Sequence, residues 1–247
     1  MKTIVAIPAR LGATRFPRKV LADLGGKPMI QHVYEKAKQA NITDDVYVLV
    51  DSVEVENVVR SFGGKSIMTS SECHCGTDRI VSVLDQMQAD FIVNVQGDEP
   101  LLDSQSLIAL CERAKTSRAD IITPVFKITD FADIDNPSRV KVVVCQGGKA
   151  LYFSRSPIPF VRGVEKSKWL THHQFWGHIG VYGYRRAILE NYKNLHASAL
   201  ETAESLEQLK FLDNGYTIDT VVAKCPTIGI DTPEDLKKAT AWLNLRK

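Results

Sequence analysis

Short apolar runs alternate along the chain with segments whose apolar positions recur three and four residues apart, and this alternation predicts its elements. Residues 4–7 form an unbroken Ile/Val/Ala run stopped by Pro8, the mark of a strand buried on both faces in a parallel sheet. After Gly25-Gly26, Met29, Ile30, Val33, Tyr34 and Ala37 lie at helical spacing, with Pro28 suited to the first turn. Residues 46–50 read as a second strand, 53–62 as a helix ended by Gly63-Gly64, 66–68 as a short strand and 78–87 as a helix. The apolar strand 91–95 runs into Gln96-Gly97-Asp98, and a helix over 104–114 and a strand over 121–126 continue the rhythm. Strand–helix–strand alternation predicts an α/β fold with a mostly parallel sheet and flanking helices.

The second half changes character. Runs at 140–144 and 150–153, joined by Gln146-Gly147-Gly148, predict a β-hairpin. Residues 157–174, with Pro157, Pro159 and Gly163, have no clean period and read as a long loop or lid. A strand over 178–184, a helix over 201–212, a strand over 217–223 and a helix from Pro233 complete the chain, with no internal repeat. With 247 residues, 44% of them hydrophobic, the chain reads as a single α/β domain over 1–247.

Composition narrows the function classes. A net charge of +2 is too small for a nucleic-acid or membrane-surface protein. No apolar run approaches the roughly 18 residues of a membrane span, and the amino terminus enters a strand without a signal-peptide core, so a cytoplasmic protein with no membrane insertion is expected. Cys73, Cys75, Cys111, Cys145 and Cys225 are odd in number and scattered, which suits a reducing compartment. Cys73-His74-Cys75 lacks the second pair that structural zinc usually needs.

Candidate chemistry concentrates at strand ends. The loop after the first strand carries Arg10, Arg15, Arg18 and Lys19, and open α/β sheets bind ligands at the carboxyl ends of their strands. Guanidinium and ammonium groups there suit phosphate oxygens, so a polyanion is the expected guest. Asp98, just after Gly97, sits where a carboxylate can hold a hard cation such as Mg²⁺ beside phosphates; a plain turn aspartate before Glu99-Pro100 is the competing reading. Asp231-Thr232-Pro233-Glu234 is also a good helix start, and capping by Thr232 would leave Asp231 free.

Six motifs in register carry a family likeness. Ile7-Pro8-Ala9-Arg10 with Gly26-Lys27-Pro28, then Gln96-Gly97-Asp98-Glu99-Pro100, Ala150-Leu151-Tyr152-Phe153-Ser154-Arg155, His178-Ile179-Gly180-Val181-Tyr182-Gly183-Tyr184-Arg185, Glu204-Ser205-Leu206-Glu207-Gln208-Leu209 and Asp231-Thr232-Pro233-Glu234-Asp235-Leu236 occur in that order. Over nearly its whole length the chain resembles the 3-deoxy-manno-octulosonate cytidylyltransferase family. The resemblance implies a nucleotide-diphospho-sugar transferase-like, Rossmann-like fold with a hairpin-containing dimerisation and sugar-binding region. It implies transfer of CMP from CTP to the anomeric hydroxyl of a 3-deoxy-octulosonate sugar acid for lipopolysaccharide or capsule assembly, with Mg²⁺ as cofactor and a homodimer as the working state.

By the same resemblance Arg10, Lys19 and Asp98 are catalytic, and Pro8, Ala9, Arg10, Arg15, Lys19, Cys75, Gly76, Arg79 and Gln96 bind the nucleotide. Arg155, His178, Tyr182, Glu207 and Gln208 bind the sugar, whose carboxylate and hydroxyls call for guanidinium, imidazole and amide partners. Asp98 and Asp231 hold the metal. A structural histidine is the competing reading of His178. The chain departs from the family pattern at Ala13, Arg18, Val50, Ser52 and Cys75. These departures keep open a nucleotide-sugar-binding protein without turnover, and the nearest enzyme alternative is a CMP-transferase for a related acid such as the 8-amino-3,8-dideoxy analogue. Sialic-type enzymes lack the Ser205–Leu209 and His178–Tyr184 motifs and rank low.

Overall fold

The computed structural model describes residues 1–12, 16–224, 227, 229–230 and 232–244. In chain order its strands and helices are β1 (Thr3–Ala9), α1 (Met29–Gln39), β2 (Asp45–Val50), α2 (Val53–Ser61), β3 (Lys65–Met68), α3 (Gly76–Ser82) and β4 (Phe91–Val95). There follow α4 (Ser104–Thr116), β5 (Ile121–Lys127), α5 (Phe131–Asp135), β6 (Lys141–Val144), β7 (Ala150–Ser154), α6 (Trp169–His172), β8 (Trp176–His178) and β9 (Val181–Arg185). The last are α7 (Arg186–Glu190), α8 (Ala199–Glu204), α9 (Gln208–Asp213), β10 (Ile218–Val222) and α10 (Pro233–Asn244). The chain divides into two compact units, one of Met1–Ile108, Gly183–Glu190 and Thr227–Lys247, the other of Ala109–Tyr182 and Asn191–Pro226.

The first unit is built on four parallel strands in the order β3-β2-β1-β4. Every residue of β1 and β4 is buried, which is why both read as continuous apolar runs rather than as alternating ones. Pro8 does not stop β1, as the sequence suggested. It lies inside the strand opposite Leu49, two residues beyond the last pair with β4, near an end where a missing N–H removes little of the ladder. On α10, Leu236, Ala239 and Leu243 share one face and pack with Leu24, Met29 and Ile230. The helix expected over 78–87 ends at Ser82: Val83 leaves helical geometry (φ −126°, ψ 19°), and the chain continues as a 3₁₀ turn over Leu84–Gln86.

In the second unit β5 pairs in parallel with β10 and antiparallel with β8, which also pairs with β6. The β6–β7 hairpin forms as the sequence predicts, with a register shift between Val143 and Val144. Two expected elements are broken. The strand over 178–184 divides into β8 and β9 at Ile179-Gly180, where the Val181 N–H turns back to the Ile179 carbonyl at 2.7 Å. The helix over 201–212 divides into α8 and α9 because Ser205 takes a left-handed conformation (φ 51°) and caps the first. Within residues 157–174 the Trp169 ring stacks on Phe175 at 5.8 Å and its indole N–H donates to the Val164 carbonyl at 3.1 Å. Lys141 is fully buried, its ammonium bonded to the carbonyls of Asn136 (3.0 Å) and Arg139 (2.6 Å), and burial lowers its pKa.

Candidate active site

Of the residues expected at the nucleotide, Pro8, Gly76 and Gln96 meet at the carboxyl ends of β1 and β4. Gly97 packs against β1 so closely that a Cβ there would lie 2.8 Å from the Pro8 carbonyl oxygen, which explains the glycine of Gln-Gly-Asp. A Cβ on Gly76 would lie 2.9 Å from Gln96 Nε2 and 3.3 Å from the Pro8 ring, so Pro8, Gly76 and Gln96 converge. Gln96 Nε2 donates to Asn94 Oδ1 at 3.3 Å, and Asn94 Nδ2 is buried with no partner among the described residues. Lys19, in a 3₁₀ turn over Lys19–Leu21, donates from Nζ to Asp98 Oδ2 at 2.6 Å. Arg10 is exposed and lines a cleft of about 610 Å³ with Ser71, Glu72, Cys73 and His74.

Three strand ends are tied together behind this loop. Asp51, just after β2, accepts from the Leu11 N–H at 3.0 Å on Oδ1 and from Arg79 Nη2 at 3.3 Å on Oδ2. Arg79 is 2% exposed and also donates to Thr69 Oγ1 and to the Ser70 carbonyl (3.2 Å) just after β3. Its guanidinium thus points into the protein and supports the loop after β1 through Asp51. The family resemblance implies a nucleotide contact for Arg79 and assigns no role to Asp51. A buried arginine is costly unless paired, and the nearest acidic residue at a strand end was the available signal.

The departures from the family pattern also find local roles. Cys75 caps α3, its Sγ accepting from the Asp78 N–H at 3.3 Å, and Ser52 caps α2 through Val55 N at 3.2 Å. Arg18 sits in the left-handed region (φ 60°, ψ 23°), where glycine is at ease, and pairs with Glu54 on the exposed side. Ala13, Arg15 and Asp231 lie outside the described residues. The neighbouring Ile230 N–H donates to the Asp98 carbonyl at 3.0 Å, bringing residue 230 beside Asp98. Thr232 and Asp235 cap α10 reciprocally: Asp235 N donates to Thr232 Oγ1 at 3.2 Å, and Thr232 N to Asp235 Oδ2 at 3.0 Å. The cap of α10 therefore rests on Thr232 and Asp235.

The residues expected at the sugar lie in the second unit. Tyr182 OH donates to Gln208 Oε1 at 3.0 Å, and Gln208 Nε2 is buried with no partner among the described residues. A buried amide donor left open is costly and points to a ligand acceptor. His178 packs edge-on to Phe153 (centroids 4.9 Å apart) and against Tyr182 (5.3 Å), with Nε2 at 2.8 Å from Thr123 Oγ1. Burial lowers its imidazole to about 3, so it is neutral near pH 7. Glu207 is the residue before α9 and partly buried. Arg155 is engaged within the protein: Nε, Nη1 and Nη2 donate to the carbonyls of Glu204 (2.7 Å), Pro137 (3.0 Å) and Ser205 (3.2 Å). Those bonds pin the left-handed turn at Ser205 and so the start of α9.

A family model described as cytidylyltransferase matches residues 4–218. A 3-deoxy-manno-octulosonate cytidylyltransferase of Parabacteroides distasonis is 46% identical over 249 residues, 98% of each chain. An 8-amino-3,8-dideoxy-manno-octulosonate cytidylyltransferase of Shewanella pealeana is 41% identical over 251 residues, 99% of this chain and 100% of that one. Among solved structures, a CMP:2-keto-3-deoxy-manno-octonic acid synthetase complexed with CTP superposes with a TM-score of 0.94 at 41% identity, covering 100% of both chains. On the family model that matches residues 4–218 and on relatives 41–46% identical over nearly the whole chain, this chain belongs to the 3-deoxy-manno-octulosonate cytidylyltransferase family.

Proposed function

We propose that this enzyme transfers CMP from CTP to the anomeric hydroxyl of 3-deoxy-manno-octulosonate. The anomeric oxygen attacks the α-phosphorus, the bond from that phosphorus to the bridging oxygen of the β-phosphate breaks, and pyrophosphate leaves while the hydroxyl proton passes to solvent. The observation that carries the reading is the Lys19–Asp98 pair, a cation and a carboxylate 2.6 Å apart at the carboxyl end of β4 in the unit that also holds Arg10. Arg10 and Lys19 supply positive charge to a triphosphate, and displacement of this kind depends mainly on positioning and charge neutralisation. His178, Tyr182, Glu207 and Gln208 supply hydrogen-bonding groups of the kind a sugar's hydroxyls need.

The donor set fits Mg²⁺. Asp98 is a hard oxygen ligand with its side chain 31% exposed, and Mg²⁺ takes one or two carboxylates together with phosphate oxygens. Asp98, with Asp231, would hold the ion. When bound it would neutralise phosphate charge and favour ionisation of a nearby hydroxyl. The family likeness supports a cytoplasmic homodimer whose product feeds lipopolysaccharide or capsule assembly; sedimentation of the purified enzyme tests the dimer.

The 41% identity to the Shewanella pealeana enzyme favours one second reading, transfer to the 8-amino-3,8-dideoxy acid. Pyrophosphate release from CTP and Mg²⁺ with each acid separates the two. The proposal expects the larger kcat/KM with the 8-hydroxy acid; preference for the amine supports the second reading, and no release with either supports a binding protein without turnover.

A further inference from the structure

His178 is held on one side by a hydroxyl whose own proton is already committed. Thr123 lies in β5, fully buried, with Oγ1 2.7 Å from the Val181 carbonyl oxygen and 3.3 Å from that of Ile179. Both are acceptors only, and a hydroxyl has one proton to give. With that proton on a carbonyl, Thr123 Oγ1 meets His178 Nε2, 2.8 Å away, as an acceptor, so the imidazole must supply the hydrogen. A neutral imidazole carries one N–H, and Nδ1 is then bare. Among the described residues Nδ1 makes no hydrogen bond.

We infer that Thr123 is a positioning residue that fixes His178 as the Nε2–H tautomer, so that Nδ1 presents a lone pair to a hydroxyl of the sugar acid. The inference rests on the proposed placement of His178 at the sugar. It assigns the chemistry of the contact: Nδ1 accepts from an O–H and repels a carboxylate, whose oxygens would face its lone pair. The ring's orientation has independent support from the edge-on contact with Phe153 and from the backbone, where His178 N donates to the Val140 carbonyl at 2.9 Å. The depressed basicity of the ring keeps the second nitrogen from gaining a proton near neutral pH.

Nitrogen–proton correlation spectra of the enzyme labelled at its six histidines, with the His178 signals assigned by their loss in His178→Gln, read the tautomer directly. The wild type should show a protonated Nε2 and a bare Nδ1. Thr123→Val, nearly isosteric but without the acceptor, should lose this single-tautomer signature and raise KM for the sugar acid about three- to tenfold, the worth of one neutral hydrogen bond, with KM for CTP unchanged. Thr123→Ser should restore both. A wild-type ring protonated on Nδ1 or on both nitrogens overturns the inference, as does a Thr123→Val spectrum identical to the wild type. A tautomer lost in Thr123→Val with sugar KM unmoved leaves the Thr123 assignment standing and overturns the placement of His178 at the sugar.

Discussion

Lys19 and Asp98 neutralise each other across 2.6 Å, with the lysine side chain 13% exposed and the aspartate 31%. The mostly buried ammonium thereby has an ion-pair partner, and that partner still reaches solvent. Entry of a triphosphate with a divalent cation would offer each of them a further partner, phosphate oxygen for Lys19 and the cation for Asp98. The pair stores the site's charges in balance before substrate arrives, and links the loop after β1 to the end of β4.

Asp98→Asn should therefore lower turnover by at least about a hundredfold, because a lost carboxylate removes several kcal/mol of charge stabilisation in the transition state. The amide oxygen still accepts from Lys19, so the melting temperature should move little. Turnover followed against Mg²⁺ concentration checks the assignment: near-normal rates at low Mg²⁺ would show that Asp98 does not hold the ion.

Asp51→Ala removes the partner of the buried Arg79 guanidinium and the acceptor for the Leu11 N–H together. Stranding a buried charge costs about 3–5 kcal/mol, so urea denaturation should report a loss near the lower end of that range. Asp51→Asn, which keeps an acceptor for Leu11, should lose less than Asp51→Ala. CTP binding should weaken in both as the loop after β1 loosens. A stability change in Asp51→Ala below about 1 kcal/mol would remove Asp51 from this role.

What the sequence disclosed, and what it hid, follows from the range of the interactions. The strands β1 and β4 are local patterns, and each forms where its apolar run lies, although β1 continues through Pro8 to Ala9. The break at Ser205 was hidden because the carbonyls of Glu204 and Ser205 answer to Arg155, about fifty residues away. The break at Ile179-Gly180 was hidden by an apolar alternation that runs through it, while the carbonyls of Ile179 and Val181 face the Thr123 hydroxyl of β5, more than fifty residues earlier in the chain. Asp51 and Thr123 act on partners 40 and 55 residues distant, and no local period marks such residues.

Arg18 occupies a left-handed position (φ 60°) at which a side chain costs about 1–2 kcal/mol, offset by an exposed ion pair with Glu54 worth about 0–1 kcal/mol. Arg18→Gly should leave stability unchanged or raise it by up to about 1 kcal/mol. Its effect on nucleotide affinity is a separate measurement. Pairing with Glu54 predicts a CTP Kd within about twofold of wild type by calorimetry, whereas a clear weakening would make Arg18 a phosphate contact.

Cys75→Ser exchanges a thiol cap for a hydroxyl one on α3, the helix that carries Arg79. Hydroxyl oxygen accepts the Asp78 N–H better than sulfur does, and a good N-cap is worth about 1 kcal/mol. The variant should gain a few tenths to about 1 kcal/mol in denaturation and bind CTP modestly more tightly, with sugar preference unmoved. A destabilised variant would mean that sulfur packing at this position outweighs capping.

His178 predicts the acid side of the stability profile. Its imidazole titrates at about 3 in the folded enzyme against an ordinary value of 6.5, with burial as the cause, so between those values the unfolded chain binds a proton that the folded one does not. Stability from this residue is then complete above about pH 6.5 and declines as pH falls towards about 3. His178→Gln, which has no titrating ring, should flatten that decline relative to wild type when urea midpoints are compared from about pH 7 to about pH 4. Over about pH 6–8 the wild-type KM for the sugar acid should show no step from this ring, since it remains neutral throughout. An acid limb equally steep in His178→Gln would place the proton uptake elsewhere, and a step in sugar KM near pH 6.5 that disappears in the variant would mean that the ring is charged where the structure holds it neutral.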